Sequence, residues 1–461
     1  MSAPPRPGPP DSTASPRALP GLAPWPLALL AATLLSAPTV IGVALQVESL
    51  DLPRALAIGA GLLALALLLS QFLSSGRFER VSGRTGIDRT MRAHQWAGRA
   101  LLLLVLAHPL LFAWPDAGEP WIGAVEGAWS LSQRASMRSG ALALLALAVL
   151  VIWALLRRRL RRKLPHEVWR AAHLLLALAA ATLALHHALT VGGASGGGLR
   201  WPWLAFAAIA ALTVLWVHAL RPALQRRRAW TVEANCEVAA GIRELTLRAA
   251  HPAPMSFAPG QFAWLDIGAS PLPLRDHPFS IASAPAELPR LRLLIKARGD
   301  FTARLGSVPV GARAFLDYPH GTFTPQGRHW DRLLLVAGGI GVAPMFAILR
   351  ALAVAGETRP VSLVYGANFA ADLVQRAELE ALRGRLVLDL HLFVDHACDD
   401  PALRPRAELL PTVARIAAEA RGGALLAMIC GPVGMPQAVQ TVLRAQGVPR
   451  RAIVYERFDY D

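Results

Sequence analysis

Six apolar stretches dominate the first half of the 461-residue chain. Each is long enough to cross the roughly 30 Å hydrocarbon core of a bilayer as a helix. They cover residues 24–46, 54–74, 94–114, 138–157, 167–190 and 201–220. Hydrophobic residues make up 54% of the chain, so the pattern predicts an integral protein of a plasma or inner membrane, with lipid as its surroundings.

The arginines predict how these spans are oriented. Arginine-rich segments follow spans two, four and six, whereas the loops after spans one, three and five carry few arginines. The positive-inside rule therefore places both termini in the cytoplasm. Residues 1–23 are rich in Pro and Ser and predict a disordered cytoplasmic tail. The length of this tail and of the first apolar run argues against a cleaved signal peptide.

Charge and cysteine content exclude several classes of protein. The net charge of +16 comes almost wholly from arginine, since Lys163 and Lys296 are the only lysines. Such a bias reflects overall composition, and we predict no nucleic-acid partner from it. The three cysteines, Cys236, Cys398 and Cys430, are far apart. They exclude a disulfide framework, a CxxC zinc site and a cysteine-ligated iron–sulfur cluster.

Histidines recur at matched positions on two of the apolar stretches. His94 and His108 are fourteen residues apart on span three, which separates them by about 21 Å along a helix and leaves them within about 40° of one face. On span five, His173 is followed by His186 and His187. Helix geometry favours His187, because His186 would lie about 140° away from the face of His173.

Spans three and five run in the same direction, so their histidines meet in pairs at two depths. Opposed imidazoles can ligate a haem iron from both sides, and we predict two b-type haems stacked across the bilayer. The alternative is that each histidine is a packed or hydrogen-bonded core residue. Ionisable groups inside a membrane are costly and usually functional, which favours haem. His166 and His218 lie near cytoplasmic ends and are interpreted as interfacial.

The second half of the chain predicts two soluble domains. Residues 229–327 contain short alternating strands typical of a small antiparallel barrel, with the segments "RDHPFSIASAP", "IKARGDFTARL" and "DYPHGTF" among them. Residues 328–461 begin with "DRLLLVAGGIGVAPMFAILRAL", a strand, a glycine-rich turn and a helix whose N-terminus can bind a diphosphate. Two later strand ends, in "VSLVYGAN" and "LLAMICGPVGM", should reach the same edge of a doubly wound parallel α/β sheet.

The run from His277 to Ser283 resembles the flavin-binding signature of the ferredoxin–NADP reductase superfamily, in the form found in ferric reductases and NADPH oxidases. The resemblance implies that Ser280 donates its hydroxyl toward N5 of FAD. It implies that His277, Pro278 and Phe279 line the flavin ring. It implies that the pyrophosphate and adenine side of FAD is bound by Lys296, Arg298, Gly299, Phe301 and Thr302. Glycine amides, a cation and a hydroxyl suit a diphosphate.

The same resemblance assigns the NAD(P)H site and the organisation of the chain. It implies a nucleotide turn at Gly338, Gly339, Gly341 and Pro344, a nicotinamide site at Cys430, Gly431 and Pro432, and Phe458 over the flavin. The thirteen-residue spacing common in the family favours His186 as the outer ligand, so His186 and His187 both stay candidates. Asn368 stands where the family often has Arg or Thr, which leaves the choice of NADH or NADPH open.

Together these patterns predict a six-helix haem domain at residues 24–222, an FAD barrel at 229–327 and an NAD(P) domain at 328–461. The implied activity is electron transfer from cytoplasmic NAD(P)H through FAD and two haems to an extracytoplasmic ferric chelate or oxygen. The alternative is a membrane subunit that reduces a protein or quinone partner. A haem sensor or proton channel would have no use for the two soluble domains.

Overall fold

The structure is a computed structural model. It describes residues 40, 51–75, 86–115, 120–160, 164–191, 200–250, 256–272, 274–396 and 399–456. The predicted tail, all of the first predicted span except Val40, and Phe458 lie outside the described residues.

Eight helices form the described part of the membrane domain. They are α1 (Leu52–Leu73), α2 (Ile87–Phe112), α3 (Pro120–Gln133), α4 (Arg138–Leu155), α5 (Arg157–Leu160), α6 (His166–Val191), α7 (Arg200–Leu215) and α8 (Arg221–Arg227). Five helical segments are long and apolar enough to cross a membrane: Leu52–Leu73, Arg89–Phe112, Ala135–Leu155, His166–Val191 and Arg200–Arg227. They confirm predicted spans two to six. Helix α3, with 14 residues too short to span, was not predicted.

The apolar composition of these helices determines how they pack. Helix α1 pairs with α2, and α4 pairs with α6. Leu65, Leu101, Leu147 and Trp203 belong to the buried cluster between the helices. Other leucines, such as Leu103 and Leu175, are 69% and 66% exposed. An apolar outer surface of this kind is suited to lipid, where helices associate through close packing and interhelical hydrogen bonds and not through the hydrophobic effect.

The first soluble domain is a six-stranded antiparallel sheet. Its strands are β1 (Trp230–Ala239), β2 (Ile242–Ala249), β3 (Phe262–Ile267), β4 (His277–Ser280), β5 (Arg290–Lys296) and β6 (Arg313–His320). The strand order is β4-β3-β6-β1-β2-β5. An antiparallel bridge between Ile281 and Leu293 brings the two outer strands together. The five-residue helix α9 (Asp300–Arg304) follows β5.

The second soluble domain is a parallel sheet. Its strands are β7 (Arg332–Gly338), β8 (Val361–Ala367), β9 (Leu388–Val394), β10 (Leu403–Pro405), β11 (Leu425–Cys430) and β12 (Ile453–Glu456). They lie in the order β10-β9-β8-β7-β11-β12. Its helices are α10 (Ala343–Val354), α11 (Arg376–Arg383), α12 (Leu409–Glu419) and α13 (Met435–Ala445). Helices cover both faces, α10 and α11 on one and α12 and α13 on the other.

Polar contacts join the three domains. Helix α8 meets strand β6, where Arg221 forms an ion pair with Asp317 and Gln225 donates to the carbonyl of Leu316 at 3.4 Å. The two soluble domains are joined by Arg350 of α10, which donates to the carbonyl of Ala282 at 2.6 Å. These contacts place the two soluble domains in series at one end of the helical bundle.

Candidate redox site

Helices α2 and α6 bring His94 and His173 together. The centroids of the two rings are 6.4 Å apart. Ser74 Oγ lies 3.3 Å from His94 Nδ1, and the indole of Trp169 stacks on His173 at 5.2 Å. Both rings are thus held in place by neighbours on their own or adjacent helices. We call this arrangement the inner histidine pair, because it lies nearer the soluble domains along both helices.

The same two helices form a second, outer histidine pair from His108 and His187. These ring centroids are 6.5 Å apart. The Nδ1 of His108 lies 2.8 Å from the backbone carbonyl of Ala57 and can donate to it, which leaves its Nε2 as the unprotonated nitrogen. His186 is exposed on another face of α6. The structure therefore brings His187, and not His186, against His108, and the ligand assignment itself stays a prediction.

Two glycines make room for the outer pair. A Cβ added to Gly61 on α1 would lie 2.9 Å from the His108 ring. A Cβ added to Gly140 on α4 would lie 2.8 Å from the His187 ring. Any larger residue at either position would push an imidazole away from its partner. The sequence analysis missed both glycines, because only the packing of α1 and α4 relates them to the histidines.

The histidine pairs fit a metal ion held between two rings. A bond from a metal to an imidazole nitrogen is about 2 Å long, so two rings that ligate one ion from opposite sides have centroids about 6 Å apart. Both observed separations are close to this value. Among the described residues, the buried Nδ1 atoms of His173 and His187 have no hydrogen-bond partner. The Nδ1 atoms of these two rings are thus not oriented by a carbonyl as that of His108 is, and the fit to a metal rests on the ring separations.

The flavin-signature segment forms strand β4 at the sheet edge. Ser280 is 3% exposed, and its hydroxyl has no hydrogen-bond partner within the described chain. The rings of His277 and Phe279 both stack on the ring of Phe301, with centroid distances of 4.4 and 6.1 Å. Burial lowers the pKa of His277 and favours its neutral form. An unpaired buried hydroxyl beside stacked rings fits a planar, hydrogen-bonding cofactor such as flavin.

The predicted pyrophosphate residues lie around the turn after β5. Lys296, Arg298 and Gly299 are exposed. The Thr302 hydroxyl accepts hydrogen bonds from the backbone amides of Arg298 and Gly299 at 2.8 and 3.0 Å, and it donates one to the Gly299 carbonyl. The hydroxyl thus caps the first turn of α9, and its contact with FAD stays a prediction. Pro278, opposite Trp264 in the ladder of β3 and β4, belongs to the same edge.

The predicted nucleotide turn lies at the carboxyl end of the parallel sheet. A Cβ on Gly341 would lie 2.2 Å from the Cys430 carbonyl, and one on Gly338 would lie 2.7 Å from Pro432. The turn therefore packs directly on the loop after β11, which only glycine permits. Gly339 has φ +53°, and Pro344 lies in the first turn of α10. An amide-rich helix start at this edge fits a diphosphate.

The predicted nicotinamide residues lie on the adjacent strand end. Cys430 is fully buried at the end of β11, paired in register with Ala337 of β7 and Glu456 of β12. Burial raises the pKa of the Cys430 thiol, which keeps it protonated. Gly431 is half-buried and Pro432 is exposed beside the nucleotide turn.

The structure also brings in residues that sequence reasoning missed. Arg350 is 5% exposed and binds Glu378 as well as the carbonyl of Ala282, so it joins the nucleotide helix to the flavin segment. His166, interpreted as interfacial, lies with its ring 5.4 Å from that of His277. Long-range pairs such as these leave no periodic signal in a sequence.

Comparison with known protein families agrees with this division of the chain. Residues 60–184 match the ferric reductase like transmembrane component. Residues 240–321 match an FAD-binding domain, and residues 335–441 match an oxidoreductase NAD-binding domain. The chain belongs to the fusions of a ferric reductase transmembrane domain with FAD and NAD modules of the ferredoxin–NADP reductase type.

Several relatives of this fusion protein match slightly less than half of its length. Ferredoxin–NADP reductase B of Sorangium cellulosum is 32% identical over 229 residues, which are 47% of this chain and 92% of the relative. The reductase component of propane 2-monooxygenase from Mycolicibacterium goodii is 31% identical over 47% of this chain and 63% of its own length. The fusion protein spans about three fifths of the length of the propane 2-monooxygenase reductase components of Mycolicibacterium and Rhodococcus.

Among solved structures, a ferredoxin reductase in carbazole 1,9a-dioxygenase is similar to the fusion protein, with 27% identity and a TM-score of 0.44. The similarity covers 50% of the fusion protein and 69% of the reductase.

Proposed function

We propose that this protein transfers electrons from cytoplasmic NAD(P)H through FAD and two b-type haems to an acceptor across the membrane, a ferric chelate or oxygen. The observation that carries the proposal is the pair of histidine layers on α2 and α6, with ring separations of 6.4 and 6.5 Å. A chain that only oxidised NAD(P)H in solution would need neither layer. The proposed domain boundaries are those predicted from the sequence.

The chain's own residues have distinct tasks in this scheme. When bound, FAD accepts a hydride and releases single electrons, and haem iron carries one electron at a time. Ser280 offers a buried hydroxyl at the flavin edge, and the glycine turn at Gly338 and Gly341 leaves room for the nucleotide. The two histidine pairs hold the irons, with His108 oriented by the carbonyl of Ala57.

The proposed direction of transfer is outward. The arginine-rich helices α5 and α8 favour a cytoplasmic location for the end of the bundle that carries the soluble domains. In a cell that is negative inside, moving one electron outward is favourable by about 2.3 kcal/mol per 100 mV. The membrane potential therefore assists transfer to an external acceptor, and both termini are proposed to be cytoplasmic.

A second candidate is a subunit that reduces a protein or quinone partner. The names of the Mycolicibacterium and Rhodococcus relatives describe them as reductase components of a monooxygenase. In this chain, however, the flavin domain is fused to the membrane helices and joined to them by the contact of Arg221 with Asp317. A covalently attached acceptor at that position favours electron transfer into the membrane domain.

The test compares His94→Ala with His108→Ala in purified protein. The unaltered protein should contain about two haems of type b per chain, with low-spin spectra, as two imidazole ligands imply. His94→Ala should block reduction of the outer haem by NAD(P)H while FAD is still reduced. His108→Ala should keep an inner haem that NAD(P)H reduces, with the external acceptor no longer turned over.

Two results would contradict the proposal. Unaltered protein with full flavin and no haem absorbance would remove the transmembrane route. The second result is the reverse of the expected pattern: in His108→Ala the remaining haem is no longer reduced by NAD(P)H, whereas in His94→Ala it still is. That result would show that the proposed order of the two haems along the electron path is inverted.

A further inference from the structure

The first two turns of α6 contact the start of the flavin signature and the segment just before it. Arg170 Nη1 donates to the side chain of Asp276 at 3.0 Å and to the backbone carbonyls of Leu274 and Asp276, both at 3.3 Å. On the same helix face, one turn earlier, the His166 ring lies 5.4 Å from the ring of His277. A membrane helix and the flavin domain therefore meet through a specific polar contact.

Burial makes the loss of one partner costlier here than in an ordinary surface ion pair. The side chains of Arg170 and Asp276 are 17% and 9% exposed. Charges removed from water are stabilised only when hydrogen bonds replace their hydration, and here one guanidinium nitrogen has three acceptors within reach. Loss of either partner would leave the other charge buried. The pair is thus suited to fixing the position of two elements, not merely to bringing them near each other.

The position of this pair along both elements indicates what it fixes. Asp276 directly precedes His277 and is four residues before Ser280, whose hydroxyl is buried and unpaired. Arg170 is three residues before His173, which faces His94 in the inner histidine pair. One rigid turn of helix, about 5 Å, therefore separates the ion pair from the level of the inner pair.

We propose that the ion pair of Arg170 and Asp276 is a positioning device that holds the flavin-binding strand β4 at a fixed distance from the inner histidine pair. The inference rests on the proposed function, since it concerns transfer from flavin to the inner haem. Arg170 is a positioning residue, because it acts through β4 and α6 and touches neither reacting group. Its loss should slow electron transfer into the haem without slowing hydride transfer from NAD(P)H to FAD.

A second contact keeps the domains together when the pair is broken. Arg221 of α8 binds Asp317 of β6, and Asp317 also lies 3.0 Å from His320 Nε2. This contact joins the same two domains through a different strand. A variant of Arg170 therefore tests the alignment of β4, because the flavin domain stays attached through α8 as well as through the chain itself.

The experiment uses Arg170→Gln, Arg170→Lys and the control Arg290→Gln in the full-length haem- and FAD-loaded protein. Arg290 pairs with Glu233 at 2.8 Å inside the flavin domain, and its side-chain hydrogen bonds among the described residues are all to Glu233. After rapid mixing with NADH or NADPH, flavin bleaching and haem reduction are followed at separate wavelengths. In Arg170→Gln, the rate of haem reduction should fall at least about tenfold, because a displacement of the flavin-binding strand by about 1 Å is costly for the transfer. The rate of flavin bleaching should not change.

Arg170→Lys should restore most of the haem reduction rate. The contacts with Leu274 and Asp276 come from Nη1 of Arg170, which shares its two hydrogens among three acceptors, and a lysine ammonium carries three donors. Arg290→Gln should behave like the unaltered protein in both steps. Hydrogen–deuterium exchange supplies a readout independent of turnover: the amides of residues 274–280 should exchange faster in Arg170→Gln than in Arg290→Gln.

The outcomes separate this inference from the proposed function. Haem reduction at the unaltered rate in Arg170→Gln, with haem and flavin content preserved, overturns the positioning role alone. Equal slowing of flavin bleaching and haem reduction also overturns it, because that pattern marks general destabilisation. Absence of haem from the unaltered protein overturns the proposed function instead. If Arg170→Gln does not assemble, Asp276→Asn replaces it, because this variant keeps both backbone acceptors. The inference then requires that Asp276→Asn slows haem reduction more than Arg170→Lys does.

Discussion

At the scale of single residues, the unpaired hydroxyl of Ser280 is the feature most closely tied to flavin chemistry. Ser283, three residues on, is equally buried, but its hydroxyl accepts the backbone amide of Arg292 at 3.1 Å. The Ser283 hydroxyl is thus bonded within the protein, whereas the Ser280 hydroxyl remains available to a ligand. Chain topology alone decides which is which.

We expect Ser280→Ala to slow flavin reduction by NAD(P)H about tenfold, because the variant loses about one hydrogen bond at the reacting edge of the flavin. FAD affinity should change much less, since a single bond is a small part of a large cofactor interface. Stopped-flow bleaching and FAD titration measure the two effects separately.

The matched control is Ser283→Ala, which removes a bond within the protein. It should lower the thermal midpoint of the flavin domain and leave the rate of flavin reduction essentially intact. Unchanged flavin reduction in Ser280→Ala would remove that hydroxyl from the site.

At the scale of elements, the approach of neighbouring helices determines the geometry of the outer histidine pair. Gly61 and Gly140 let α1 and α4 come close enough to contact the rings of His108 and His187. Small residues at helix contacts are typical of membrane bundles, where close packing replaces the hydrophobic effect. Here the close contact is with an imidazole, which gives the glycines a role in placing the side chains that we propose as ligands of the outer haem.

Gly140→Ala is expected to lose the outer haem and keep the inner one. The added Cβ would lie 2.8 Å from the His187 ring, so the imidazole must turn away from His108. The ratio of haem to protein should fall by about half, and the remaining haem should still be reduced by NAD(P)H. Pyridine haemochrome analysis of the purified variant gives this ratio.

Gly98→Ala on α2 serves as the control, because a Cβ at Gly98 has no neighbour within 4 Å among the atoms described. Both haems should be kept in this variant. A full complement of haem in Gly140→Ala would mean that His187 is not needed as a ligand, and His186 would then be the candidate to test.

At the scale of the whole molecule, the order of the modules matches the order of the proposed electron path. The parallel sheet contacts the flavin domain through Arg350, and the flavin domain contacts the helical bundle through Arg170 and Arg221. The buried clusters of the soluble half contain no residue of the membrane helices: one lies in the flavin domain, one in the nucleotide domain, and the largest is shared by both. A core that does not depend on the membrane helices implies that the soluble half can fold without them.

Residues from about 225 onward, expressed alone, should therefore bind FAD and reduce an artificial dye with NAD(P)H. External ferric chelate should not be reduced across vesicle membranes by this fragment, because it lacks the histidine pairs. Absorbance of bound flavin and dye reduction assays check the expectation. A fragment that folds, as judged by circular dichroism, yet binds no FAD would contradict the assignment of the flavin site to this half.

The sequence by itself determined the features that depend on local or periodic patterns. Apolar length predicted spans two to six, and the fourteen-residue spacing of His94 and His108 on α2 predicted that these two histidines share a face. Strand alternation and glycine-rich turns predicted the antiparallel and parallel sheets in order. These features follow from the fixed periods of helices and strands, which a linear chain already contains.

Only the tertiary structure decided which distant residues meet. It placed His187 instead of His186 beside His108, made Gly61 and Gly140 neighbours of the rings, and joined Arg170 to Asp276 across 106 positions of chain. It also engaged the Thr302 hydroxyl in a local cap. The physical reason is that packing and buried hydrogen bonds depend on three-dimensional proximity, which sequence spacing does not contain once two residues lie on different elements.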